Sequence, residues 1–117
     1  MAMKVVADYC IIPLGVGSSL TKYVAQVQRV LQESAKEKKV NYAMHSCGTN
    51  IEGEWDDVMN TIKRCHEVLH APPNNAPRVH TTVRIGTRTD KESSIKDKVE
   101  SVQRELNSSG ATWTPGE

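Results

Sequence analysis

The sequence predicts one α+β domain: strand, helix, two strands, helix, strand, and a further helix at the end. Three observations carry that reading. The opening segment is apolar on both of its alternating faces, as a central strand is; the stretches 20–31 and 55–69 repeat apolar residues at helical spacing; and residues 78–86 alternate one by one. A chain of 117 residues suits a single core, with about two-thirds of its unfolded surface buried on folding.

In the first strand, Met3 to Leu14, Val5, Ala7, Tyr9 and Ile11 share one face, while Val6, Asp8, Cys10 and Ile12 share the other. Asp8 is the odd member of that second face. Pro13, Gly15 and Gly17 end the strand, and Ser18 or Ser19 is placed to cap a helix whose stripe is Leu20, Tyr23, Val24, Val27, Val30 and Leu31. The solvated run Lys36 to Lys39 closes it.

Val40–Thr49 reads as the second strand and Asn50–Gly53 as a short third, joined near Gly48 as a hairpin. Glu54, Asp56 and Asp57 suit the unpaired amides of a helix start, and the stripe that follows is Trp55, Val58, Met59, Ile62, Cys65, His66 and Leu69. The prolines and asparagines of 71–77 make a loop. Arg78–Gly86 is the fourth strand, with Val79, Thr81, Val83 and Ile85 on one face and Arg78, His80, Thr82 and Arg84 on the other. Thr89 with Glu92 has capping-box spacing for a last helix, whose seam is Ile95, Val99, Val102 and Leu106. Residues 1–107 are expected to form the domain and 108–117 a flexible tail.

This order matches the split βαβ arrangement of ferredoxin-like domains. Both main helices would then lie on one side of the sheet, leaving the face of Val6, Cys10 and Ile12 to be covered by a second subunit.

Composition excludes several classes of function. A formal net charge of +1, with acids and bases interleaved, offers no continuous cationic surface for nucleic acid. Aromatics at 4% with no Phe are too few for base-stacking platforms. No apolar run of membrane-spanning length interrupts the chain, and three cysteines without CxxC spacing suit a reducing, cytoplasmic setting.

Among candidate sites, His66-Glu67-Val68-Leu69-His70 fits the zinc-hydrolase pattern, two ligands one turn apart with a glutamate base between them. Ala71-Pro72-Pro73 breaks that helix at once, and only His80 follows as a histidine, so no resident metal or other cofactor is expected; a zinc hydrolase on this segment is an alternative reading, as is a structural or regulatory module whose sheet face serves only assembly. His45 and Cys47 lack an orienting carboxylate for nucleophilic catalysis, and no catalytic residue is assigned. Gly86 to Asp90 reads as a helix cap more readily than as an anion cradle. The stronger candidate is a convergence of short polar side chains and charges. His45, Ser46, Thr49 and Glu52 come from the hairpin segment, Asp8 from the first strand, and His80 and Arg84 from the fourth. Titratable groups gathered on one sheet face are costly unless paired or bound to a ligand.

Two long motifs, Ser46-Cys47-Gly48-Thr49-Asn50-Ile51-Glu52-Gly53-Glu54-Trp55-Asp56-Asp57-Val58-Met59 and the stretch from Arg78 to Lys91, resemble the signatures of the small YkoF-like thiamine-binding proteins, especially their fungal members. Ala7 to Pro13 fits the family's opening strand, and the resemblance spans positions 4–106. It implies a ferredoxin-like fold, assembly into dimers or tetramers through sheet faces, and binding of thiamine or its hydroxymethylpyrimidine part near subunit contacts, and it establishes no catalytic activity. On that reading Glu52 is a sensible anchor, because an aminopyrimidine presents an amino donor beside a ring nitrogen that a carboxyl group matches edge to edge. Tyr9 or Tyr42 is then a candidate ring face for the thiazolium cation.

Overall fold

Strand β1 (Lys4–Leu14) lies in the interior of a four-stranded antiparallel sheet. The computed structural model describes residues 3–111, 113 and 114. The remaining elements are α1 (Thr21–Lys36), β2 (Val40–His45), β3 (Gly48–Glu54), α2 (Trp55–His70), β4 (Arg78–Gly86) and α3 (Ile95–Ser108), and the strand order is β2-β3-β1-β4. This is the ferredoxin-like α+β sandwich with an added C-terminal helix.

The two faces of β1 explain the layering. Val5, Ala7 and Tyr9 are buried together with Tyr23, Val27 and Leu31 of α1, Ile51 of β3, and Val58, Cys65 and Leu69 of α2. Each large aliphatic side chain fully buried there stabilises the fold by about 1.5–3 kcal/mol. Val6, Asp8 and Cys10 on the opposite face stay half-buried, and Ile12 and Leu14 are 36% and 41% exposed. Helices α1 and α2 therefore cover one side of the sheet and leave the other open. β4 is an edge strand, and even its helix-side residues Val83 and Ile85 are exposed.

Several boundaries differ from the sequence reading, each for a local reason. Helix α1 starts after Leu20, with neither Ser18 nor Ser19 accepting a capping bond. The hairpin turns at Ser46 and Cys47, so β2 stops at His45, Gly48 already belongs to β3, and Thr49 pairs with Tyr9. Gly48 permits this register: a Cβ there would stand 2.5 Å from the Tyr9 carbonyl oxygen. Gly53, at φ +156°, does the same at the other end of β3, where a Cβ would come within 2.6 Å of the Lys39 carbonyl oxygen.

Helix α3 begins six residues after Thr89, capped by Ser94, whose hydroxyl accepts from the Asp97 amide at 3.0 Å. Trp55, expected in the buried stripe of α2, is its first residue and is 39% exposed. Of the C-terminal stretch expected to be flexible, Ser108 closes α3, while residue 112 and residues 115–117 lie outside the described residues.

Candidate functional site

The open side of the sheet is where alternation collects charge. Opposite Asp8 in register stand Asn50 on β3 and Arg84 on β4, and Glu52 stands opposite Val6 on one side and Asn41 on the other. Strand parity therefore puts Asp8, Glu52, His45, His80 and Arg84 on one face. Arg84 Nε and Nη2 donate to the two oxygens of Asp8 at 2.8 and 2.7 Å, and His45 Nε2 lies 3.5 Å from Asp8 Oδ2. The Arg84 hydrogen bonds hold the Asp8 carboxyl below the usual carboxylate range, against a partial desolvation that acts the other way, and His45 adds a smaller lowering.

Glu52 occupies the other end of this face. Its Oε2 accepts the backbone N–H of Ile95, the first residue of α3, at 2.7 Å. Its Oε1 has only a long contact, 3.5 Å, from Asn41 Nδ2. Asn41, Glu52, Ser94 and Asp97 also line a cavity of about 530 Å³ that runs to the end of α1 at Lys38 and Lys39.

The remaining expected site residues are placed differently. His80 shares the open face but stands opposite Ile12, four residues along β4 from Arg84 and roughly 13 Å away at about 3.3 Å per residue. Ser46 sits exposed in the turn, its hydroxyl 3.7 Å from Cys47 Sγ. Thr49 points to the helices: it is 3% exposed and accepts from Gln28 Nε2 at 3.1 Å, because the hairpin turns earlier than expected and reverses its side. Neither tyrosine offers its ring to the open face. Tyr9 is buried on the helix side with its hydroxyl 3.6 Å from Cys65 Sγ, and Tyr42 packs against the same core. Burial pushes the Tyr9 hydroxyl upward and the Cys65 thiol up to about 11.

The His66 to His70 segment has other work. His66 Nε2 meets Thr81 Oγ1 of β4 at 2.6 Å, and His70 Nδ1–H donates to the Ala76 carbonyl in the following loop at 2.8 Å. Among the described residues, no three His, Cys, Asp or Glu side chains are grouped to hold a metal ion. His45 Nδ1 likewise accepts the Cys47 amide at 3.2 Å rather than a thiol proton. Arg88 bonds Asp90 at 2.7 Å and holds that exposed carboxyl at about 2, so the 86–90 segment closes on itself instead of capping α3.

Three participants escaped the sequence reading: Asn50, Asn41 and the Ile95 amide. Asn50 was recoverable, since it lies two residues from Glu52 on the same face; Asn41 needed the register of β2, and the Ile95 amide needed the true start of α3.

An α+β domain with a bare, charge-bearing sheet face is thus the class of protein described. The family described as thiamine-binding protein matches residues 7–103, and the chain belongs to it. It is 46% identical over 108 residues to UPF0045 protein sll0230 of Synechocystis, covering 92% of this chain and 84% of that one. It is 40% identical over 106 residues to the fungal UPF0045 protein ECM15 of Eremothecium gossypii, covering 90% and 95%. The crystal structure of protein MJ1052 from Methanocaldococcus jannaschii superposes with a TM-score of 0.74 at 32% identity, over 86% of this chain and 96% of that one. No helix among the described residues is long and apolar enough to cross a membrane.

Proposed function

We propose that this chain is a non-catalytic binding protein for thiamine or a related aminopyrimidine metabolite, held on the open sheet face and enclosed by a second copy of the chain. The observation that carries the reading is the register of β3, β1 and β4, which sets Glu52 and the Asp8–Arg84 pair on a face that α1 and α2 leave bare. Membership of a family named for thiamine binding supports the ligand class. Glu52 is the anchor: its carboxyl edge complements an amino group beside a ring nitrogen, with one proton shared between the ring nitrogen and a carboxyl oxygen. Asp8, stripped of its proton by Arg84, supplies negative charge toward a thiazolium, and His45, Ser46 and His80 border the same surface. Thr49 supports the site from beneath by fixing β3 against α1.

Self-association follows from the same face. Ile12 and Leu14 are exposed beside half-buried Val6 and Cys10, an apolar strip with charges around it, and a second copy would remove it from water as a dimer or tetramer. Free cysteines suit a cytoplasmic setting. The test is calorimetry with thiamine, its phosphates and hydroxymethylpyrimidine. Saturable heat that vanishes in Glu52→Gln supports the reading; no heat from any of these with the unaltered protein removes the ligand while leaving the fold untouched.

A further inference from the structure

Helix α3 is amphipathic yet buries none of its residues: Ile95, Val99 and Leu106 are half-covered and Val102 is 53% exposed. A compact chain of this length has a radius of gyration of roughly 13 Å, whereas this one measures 16.2 Å. The helix therefore gains little from packing, and its firmest tie to the sheet is one bond, the Ile95 N–H on Glu52 Oε2 at 2.7 Å. That bond is charge-assisted and sits at a helix N-terminus, where a carboxylate is favoured by the unpaired amides and the axial dipole.

The acceptor is the same carboxyl group that anchors the ligand in the reading above. An edge-to-edge match with an aminopyrimidine uses both carboxyl oxygens, and Oε2 already serves α3 while Oε1 carries only the long Asn41 contact. We propose that α3 is a latch on the ligand site, its first amide occupying Glu52 and giving way when a ligand presents an amino and ring-nitrogen edge to that carboxyl group. The inference rests on Glu52 as the anchor. Its consequence is that ligand occupancy is exchanged for the tether of α3, so a small molecule at β3 changes the freedom of a helix whose apolar seam is only partly covered.

The local backbone offers a clean perturbation. Ile95 is the first residue of the helix, where proline is well tolerated because that amide has no partner within the helix. Ser94 sits at φ −128°, ψ 169°, the extended region that a residue before proline prefers, and its hydroxyl cap on Asp97 is unaffected. Ile95→Pro thus removes the latch donor and leaves the helix start intact, while Ile95→Ala shortens the side chain and keeps the donor.

Calorimetry with thiamine and hydroxymethylpyrimidine should find both bound about tenfold more tightly by Ile95→Pro than by Ile95→Ala, since apparent affinity scales with the fraction of molecules whose carboxyl group is free. In parallel, amides of α3 should exchange with deuterium about tenfold faster in Ile95→Pro than in Ile95→Ala. Equal affinities in the two variants, with binding still abolished by Glu52→Gln, overturn the latch and leave the ligand reading standing. If neither compound binds any variant, the ligand reading fails and exchange decides the tether: faster exchange in Ile95→Pro sustains α3 as a helix held by Glu52, and equal exchange overturns it.

Discussion

Across the β1–β4 ladder, the guanidinium of Arg84 grips the carboxylate of Asp8 through two parallel hydrogen bonds of 2.8 and 2.7 Å, although Arg84 itself is largely in solvent. The two residues are directly opposed in register, so the sheet sets their spacing before either side chain chooses a rotamer. A pair built this way is preformed by the sheet. It presents one partly covered carboxylate, with a planar cation beside it and His45 on its other flank.

Replacing Arg84 by Lys should raise the Asp8 titration toward the ordinary carboxylate range, because an ammonium cannot engage both oxygens as the guanidinium fork does. The sign of the pH effect follows from the direction of the shift. Asp8 titrates lower in the folded chain, so its contribution to stability is present above its unfolded pKa of about 3.9 and fades as pH falls below that value. The loss of stability in Arg84→Lys should be small at neutral pH, since the cation is exposed and screened by solvent. Carbon-13 titration of the Asp8 side chain reads the first effect and urea unfolding the second; an unmoved Asp8 titration would show that Arg84 does not set it.

His66 gives the opposite kind of group, a base kept neutral. Desolvation under α2, with His70 as a secondary cause, lowers its pKa, and its Nε2 is joined to Thr81 across to β4. A histidine with a depressed folded pKa stabilises fully above its unfolded value of about 6.5 and loses that contribution as pH falls through the interval below. The melting temperature should accordingly drop between pH 7 and pH 5. Thr81→Val should cost about 1–3 kcal/mol by leaving a partly buried ring nitrogen without its partner, and His66→Gln should flatten the acid-side decline. A decline of unchanged size in His66→Gln assigns it to the other histidines.

Most of the fold was legible because its signals are periodic. β1 was apolar on both parities and β4 alternated cleanly, so both strands were found with their faces correctly assigned, and the Asp8–Arg84 juxtaposition followed from topology. What failed was anything depending on a shift of one or a few residues. The hairpin turns at Ser46 and Cys47 rather than near Gly48, and since side chains alternate, that slip sent Thr49 to the helix side. At α3 the capping-box spacing of Thr89 with Glu92 pointed to a start that the chain does not use, and Ser94 caps the helix instead. The tie between Glu52 and the Ile95 amide was hidden because a backbone donor leaves no mark in the sequence.

The three cysteines supply a reporter for whether the open face is covered, and it requires no ligand. Cys47 is exposed in the hairpin turn; Cys65 is fully buried with its thiol raised to about 11; Cys10 is half-buried on the open face, opposite Thr82. Thiolate is the reactive form, so Cys65 combines inaccessibility with a small thiolate fraction and should react with a disulfide reagent only on unfolding. Cys47 should react first at every protein concentration, because the turn stands clear of the sheet face. Cys10 is the informative one. If a second copy closes over Val6, Cys10 and Ile12, its labelling should be protected at tens of micromolar protein and should accelerate at least tenfold on dilution, while the Cys47 rate stays fixed. Labelling of Cys10 at one rate across that range, with sedimentation showing a single copy throughout, would mean the face is bare in solution, and an enclosed site there would have no second wall.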